Sequence, residues 1–185
     1  DVAIVRPLTR TVIVAIKRYS DEMGHQEAEK SYLDMFANSQ ITLQDNMCYT
    51  HFKKNKEVIE KVDKLFSAED WKLGEMRVLI HGADQVMVIM KENRVRELLK
   101  ELDESVINSF AQSSLLTLNL PYESYSTYGI IAEVTSLLAK QGISLELISS
   151  PPDLHILVDE KDAERTYSTF KQLIKNSQKA VEEQK

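Results

Sequence analysis

The sequence predicts an α+β fold of two tandem β-α-β-β-α units behind a short helical element, and three observations carry that prediction. Val58, Ile59, Val62, Leu65 and Phe66 fall at helical spacing, and so do Ile130, Ile131, Val134, Leu137 and Leu138. One displacement of 72 positions relates the two sets, carrying Val58 to Ile130 and Val62 to Val134. The elements expected around each stripe then follow in the same order. Five matched positions in a matched order favour duplication over a spacing shared by chance. The 185-residue chain has room for both units, since ~65 residues suffice for a small two-layer sandwich.

Residues 1–40 form the N-terminal element. Thr11 to Met23, with Ile13, Ile16, Tyr19 and Met23, fits a helix stopped by Gly24, although the β-branched run Val12-Ile13-Val14 competes as strand. A second short helix is expected from Gln26 to Phe36. The first unit, 41–104, opens with a strand from Ile41 to Phe52 and continues with the first apolar stripe as a helix. Short β-rich runs, Glu75 to Ile80 and Val86 to Met90, flank the turn His81-Gly82-Ala83-Asp84-Gln85. Val95, Leu98, Leu99 and Leu102 mark its closing helix.

The second unit, 105–176, repeats this order. A strand from Leu115 to Leu120 precedes the second stripe; runs Ile143 to Ile148 and Leu154 to Val158 follow, separated by Ser149-Ser150-Pro151-Pro152-Asp153. The proline pair belongs to the connection, because proline lacks the N–H a central strand needs. Ala163, Tyr167, Phe170 and Ile174 mark the last helix, and the charged tail, 177–185, is expected to fray. Two helices on one sheet face bury the stripes and leave the other face partly exposed. Trp71, just before Leu73-Gly74, is expected to anchor the loop between helix and strand.

Composition narrows the function. Hydrophobic residues make up 43% of the chain and Gly plus Pro only nine residues, which excludes wholesale disorder and low complexity. The net charge of −6 has no segment of positive excess, so extended nucleic-acid binding over 41–185 is not expected. The single Cys48 excludes an internal disulfide and fits a reducing compartment. No run reads as membrane-spanning or as a signal peptide, which points to the cytoplasm. The chain opens at Asp1 rather than Met, leaving room for a preceding segment. His25, His51, His81 and His155 form no metal-binding spacing, and no phosphate-loop, dinucleotide or nucleophile motif occurs. No catalytic residue, metal or cofactor is therefore expected. Met76, Met87 and Met90 read as core filling, with an adaptable Met-rich surface as the alternative.

The second unit carries a recognisable pattern. Tyr128-Gly129-Ile130-Ile131-Ala132-Glu133-Val134, then Leu137-Leu138-Ala139, Gly142-Ile143-Ser144-Leu145 and Leu157-Val158-Asp159-Glu160-Lys161-Asp162-Ala163-Glu164-Arg165, resembles the regulatory ACT domain, most nearly that of aspartate kinases. The resemblance covers residues 114–174 and reaches 41–104 only through the repeat. It implies ferredoxin-like modules in tandem that bind a small molecule, often an amino acid, at the loop between first strand and first helix. Carried onto this sequence, that loop is Ser124, Tyr125, Ser126, Thr127, Tyr128 and Gly129, leading into Ile130.

The physics of the loop agrees. A helix N-terminus exposes N–H groups, and glycine lets a carboxylate approach the backbone. Ser126 or Thr127 serves equally well as a helix cap. Two departures stand out: Tyr128 replaces the family proline, and the corresponding first-unit loop, Lys53-Lys54-Asn55-Lys56-Glu57, lacks glycine. Its lysines would still attract an anion. The expected function is a non-enzymatic regulatory protein that binds an amino acid and forms a homo-oligomer. The alternatives are the regulatory part of an amino-acid biosynthetic enzyme such as aspartate kinase, and a DNA-binding transcription regulator. For the latter, Val14 to Ser20 resembles the last helix of a helix-turn-helix piece that precedes paired ACT modules in some archaeal regulators; Arg6, Arg10, Lys17 and Arg18 would contact phosphate.

Overall fold

A computed structural model describes residues 32–67 and 74–183. The helix expected over Thr11–Met23, the basic residues assigned to phosphate, and Trp71 lie outside the described residues. Of the helix expected to end at Phe36, the described part, 32–37, is helical. The elements that follow are β1 (Gln40–Lys53), α1 (Lys56–Phe66), β2 (Val78–His81), β3 (Gln85–Lys91) and α2 (Glu92–Glu101). The second series is β4 (Val106–Asn119), α3 (Ile130–Lys140), β5 (Glu146–Ser150), β6 (Asp153–Asp159) and α4 (Glu160–Glu182). The expected β-α-β-β-α order therefore occurs twice. Both units contribute to one six-stranded sheet, ordered β2-β3-β1-β4-β6-β5, with every pairing antiparallel.

The two central strands join the units. β1 and β4 are each 14 residues long and pair from Gln40↔Asn119 to Phe52↔Val106. Each is interrupted near its middle, where Asn46 and Gln112 have φ of 57° and 55°. The shift of 66 that carries Gln40 to Val106 also carries Asn46 to Gln112, so the two irregularities are repeats of one another. Ser114 Oγ donates to Asp45 Oδ1 at 2.9 Å beside the first of them. Such bulges bend a strand and let its two halves serve different neighbours. Residues 47–53 of β1 pair with β3 as well as β4, and 113–119 of β4 pair with β6 as well as β1. β4 starts well before the expected Leu115, because its leading half lacks the apolar run that marks the trailing half.

Residues two apart along each strand build the core. Cys48, Phe52, Val86, Val88 and Met90 pack with Val58 and Val62 of α1 and with Val95 and Leu98 of α2. Leu116, Leu118, Leu154, Ile156 and Val158 pack with Ile130, Val134 and Leu138 of α3 and with Ala163, Phe170 and Ile174 of α4. The alternate positions Met47, Met87, Ile89, Leu115 and Leu157 gather on the other face with no helical residue among them. That face is partly exposed, as expected: these five are buried at its centre, while Ile80, paired with Met87, is exposed. Tyr49, Met76, Val78 and Ile148 pack against them, and Phe110 stacks on Tyr49 with ring centroids 4.4 Å apart. Met87 and Met90 are thus core residues on opposite faces of β3, and Met76 flanks the helix-free cluster.

The tail differs from expectation too. α4 continues to Glu182, Ser177 is buried, and Gln178 Nε2 donates to the Ala37 carbonyl at 3.0 Å. Packing against the segment that enters β1 overrides the polar composition that suggested fraying.

One core polar contact has a measurable pH signature. His155 is buried on β6, and its Nδ1 lies 3.0 Å from Thr117 Oγ1 on the paired strand. Burial lowers the His155 pKa, against the opposing pull of Asp153. The unfolded chain therefore binds the His155 proton more readily than the folded one. The neutral ring's contribution is complete above the unfolded value of ~6.5 and is lost as pH falls through the depressed folded value. Urea unfolding from about pH 8 to about pH 5 should show a smaller pH-dependent loss in His155→Gln than in the parent chain. Parallel profiles would contradict this assignment.

Candidate functional site

The two units diverge most at the connection from first strand to first helix. In the first unit only Lys54 and Asn55 separate β1 from α1. Asn55 is the N-cap, and its side chain accepts from the Val58 N–H at 2.9 Å. Lys54 Nζ donates to the Gly82 carbonyl at 2.9 Å, and Lys56 pairs with Glu60 at 3.6 Å. Lys54 and Lys56 are thus drawn into local contacts, and the helix end is occupied by its own cap.

The second unit replaces that tight connection with residues 120–129. A 3₁₀ turn over Tyr122–Ser126 begins the loop, and Gly129, with φ of 91°, ends it as the N-cap of α3. That backbone region is strongly unfavourable for residues with a Cβ, which explains the glycine. α3 has no side-chain cap. Ser126 Oγ and Thr127 Oγ1 both donate to the Glu123 carbonyl, at 3.2 and 3.0 Å, so neither takes the capping role expected of it. They stabilise the preceding turn instead. The first intrahelical bond runs from the Glu133 N–H to the Gly129 carbonyl at 2.8 Å, leaving the N–H groups of Ile130, Ile131 and Ala132 without an intrahelical acceptor.

These residues enclose a cavity of about 330 Å³. Of the seven residues expected at the site, Ser124, Tyr125, Thr127, Tyr128, Gly129 and Ile130 line it; Ser126 does not. The opposite wall is Ser149, Pro151, Pro152, Asp153 and Leu154, the connection between β5 and β6. Sequence reasoning assigned this connection to the turn but missed its place at the site, because its approach to the loop is a tertiary contact. Tyr125 donates its hydroxyl to the Pro151 carbonyl at 3.2 Å, tying the two walls together. Asp153 Oδ1 accepts from Asn119 Nδ2 at 2.6 Å. Ser124 Oγ is buried without a hydrogen-bond partner, a polar group whose desolvation is uncompensated. Tyr128 is 84% exposed at the rim.

The arrangement offers amide donors, an acceptor carboxylate and a buried hydroxyl around a small apolar-walled space. Such a site suits a ligand carrying a carboxylate beside a cationic group. Among the described residues no cluster of His, Cys, Asp and Glu could hold a metal ion. No helix among them is long and apolar enough to cross a membrane.

Gly129 is constrained from behind as well. A Cβ added there would lie 3.1 Å from Tyr32 Cδ1. Gly129→Ala is expected to cost ~1–2 kcal/mol from the positive φ alone, with the Tyr32 contact adding to it. Asn55→Ala should cost ~1 kcal/mol through loss of its cap. Urea unfolding of both variants checks these values, and an unchanged midpoint for either would contradict the corresponding local geometry.

Comparison with known proteins places this geometry. Residues 112–172 match the family model of the ACT domain. A comparison with curated protein sequences finds no match. Among solved structures, Clostridium acetobutylicum aspartate kinase, described as an allosteric enzyme, is 12% identical with a TM-score of 0.57 over 72% of this chain and 34% of its own. The chain thus spans about a third of that enzyme. A Vibrio cholerae protein of unknown function is 16% identical with a TM-score of 0.55, covering 78% of this chain and 97% of its own. The ligand-free regulatory subunit of aspartate kinase from Thermus thermophilus is 14% identical with a TM-score of 0.52, covering 72% and 95%. At these identities the structural likeness establishes the fold. Residues 112–172 of the second unit thus match the ACT-domain model, in a fold shared with aspartate kinase structures that include a regulatory subunit.

Proposed function

We propose that the chain is a non-catalytic regulatory protein, or the regulatory part of one, that binds a free amino acid in the second-unit cavity. The observation that carries this reading is the uncapped N-terminus of α3 opening onto the partnerless Ser124 hydroxyl. The ligand's α-carboxylate would accept from the Ile130–Ala132 amides, and Ser124 Oγ would donate to it. Its ammonium would face Asp153 across the cavity, with Tyr128 at the rim. One ligand would bind per chain, since Asn55 already caps the first unit's helix. Occupancy would act by stabilising one arrangement of the paired units and of whatever they contact.

A second reading, favoured by the aspartate kinase neighbours, makes the chain the regulator of an amino-acid biosynthetic enzyme. The DNA-binding alternative rests on residues outside the described part. Self-association and a cytoplasmic setting complete the proposal; the lone thiol of buried Cys48 suits a reducing compartment.

Isothermal titration of the full chain with each of the twenty common L-amino acids tests the reading. At least one should give saturable heat at about one site per chain, and its methyl ester should bind much more weakly. Ser124→Ala should weaken binding by ~10-fold or more through loss of a hydrogen bond to a charged group. No heat from any of the twenty would overturn the proposal.

A further inference from the structure

We propose that the second-unit cavity selects an amino acid with a large apolar side chain, which lies against Tyr125, Tyr128 and Ile131. The proposal rests on the reading of that cavity as an amino-acid site and adds what the site discriminates. A carboxylate and an ammonium are common to every free amino acid, so selection falls to whatever meets the side chain. At about 330 Å³ the cavity sits at the small end of the ~300–1,000 Å³ usual for small-molecule sites, which suits one amino acid.

Charge is the first observation. Asp153 is the only charged residue lining the cavity. No Lys, Arg or His lines it, so an acidic side chain on the ligand would meet no cation there. A basic side chain would compete with the ligand's own ammonium for Asp153, which already accepts from Asn119 Nδ2 at 2.6 Å. The lining hydroxyls are also largely committed. Tyr125 donates to the Pro151 carbonyl and Thr127 Oγ1 to the Glu123 carbonyl, while Ser124 Oγ is assigned to the ligand's carboxylate. Exposed Ser149 is left to meet a polar side chain, a small return for the water such a group gives up.

Apolar surface is the second observation. Tyr125, Tyr128 and Ile131 line the cavity while remaining 60%, 84% and 47% exposed. Tyr122 extends the patch, its ring centroid 5.1 Å from that of Tyr125. The other exposed large hydrophobic side chains among the described residues are scattered over β1, β2 and β4. Apolar exposure gathered at the mouth of a cavity marks a surface that a ligand covers. Behind it, Leu120, Ile130 and Leu154 are buried and form an apolar floor. A large apolar side chain between floor and rim loses water on both sides and gains ring contacts from the tyrosines. A charged side chain reaching past the rim keeps its hydration but leaves that surface uncovered.

Isothermal titration of the full chain ranks the ligands in three arms: leucine, methionine and phenylalanine; aspartate, glutamate, lysine and arginine; alanine, serine and threonine. The tightest ligand should belong to the first arm and bind ~10-fold or more tightly than any member of the other two. Ile131→Lys changes an exposed side chain and places a cation at the rim. It should weaken leucine and tighten glutamate, each by ~5-fold or more, while keeping the parent circular dichroism spectrum. Misfolding cannot move two ligands in opposite directions. Heat from no amino acid would overturn the amino-acid reading and this selectivity together. Saturable binding that is tightest for a charged or small polar amino acid would overturn the selectivity alone, as would a folded Ile131→Lys variant that fails to tighten glutamate.

Discussion

The antiparallel pairing of β1 with β4 is the constraint on which the remaining architecture depends. Each strand is long enough to be used twice: its trailing half is the first strand of its own unit, and its leading half flanks the other unit. A straight strand of 14 residues would have to serve both three-strand ladders without a bend. The local breaks at Asn46 and Gln112 supply that bend, and they fall at equivalent places because the demand is the same in both units. The helices then lie on one face, and the alternate residues of four strands merge into a single cluster on the other. Neither unit closes its sheet alone.

Symmetry of the frame does not extend to chemistry. The same strand-to-helix junction is a capped two-residue connection in one unit and an uncapped loop ending in Gly129 in the other. The energetic difference is local. A side-chain cap contributes ~1 kcal/mol, and giving it up leaves amide donors free for an external anion. The second unit thus retains unsatisfied polar groups where the first has internal partners. Such a departure from local optimisation is expected where a protein binds something.

The elements with strong periodicity were legible before any coordinates. Buried Val58 and Val62, and their counterparts Ile130 and Val134, lie where the helical stripes put them. Both hairpin turns also fall as expected, because Gly82 and the Pro151-Pro152 pair are local signals. The leading half of β4 was not legible. Its residues alternate neither in polarity nor in burial, since they are exposed from Ile107 to Gln112. The same limit applies at the site. Gly129 announced the loop, but Asp153 and Pro151 reach it only through the sheet register, and Ser126 and Thr127 turned toward Glu123 because a nearby carbonyl was available. The helix-free face is partly exposed as expected, at Ile80 and Phe110, around a buried centre that the five successive buried residues of β3 do not by themselves reveal.

The surroundings of Gly129 bear on how far a binding event can be felt. Its Cα faces the Tyr32 ring, and Tyr32 meets Phe36 edge-on with centroids 6.1 Å apart. Phe36 is fully buried among the α3 and α4 side chains, and the next residue's carbonyl is held by Gln178. The loop is therefore packed against the point where the chain enters β1, the strand shared by both units. A close-packed route of this kind transmits displacement because its parts cannot compress independently. It transmits only what the ligand supplies as a difference in affinity between two arrangements, and a tenfold difference corresponds to ~1.4 kcal/mol. That is comparable to the cost of one lost helix cap, so the absent cap of α3 is of the right size to set which arrangement prevails.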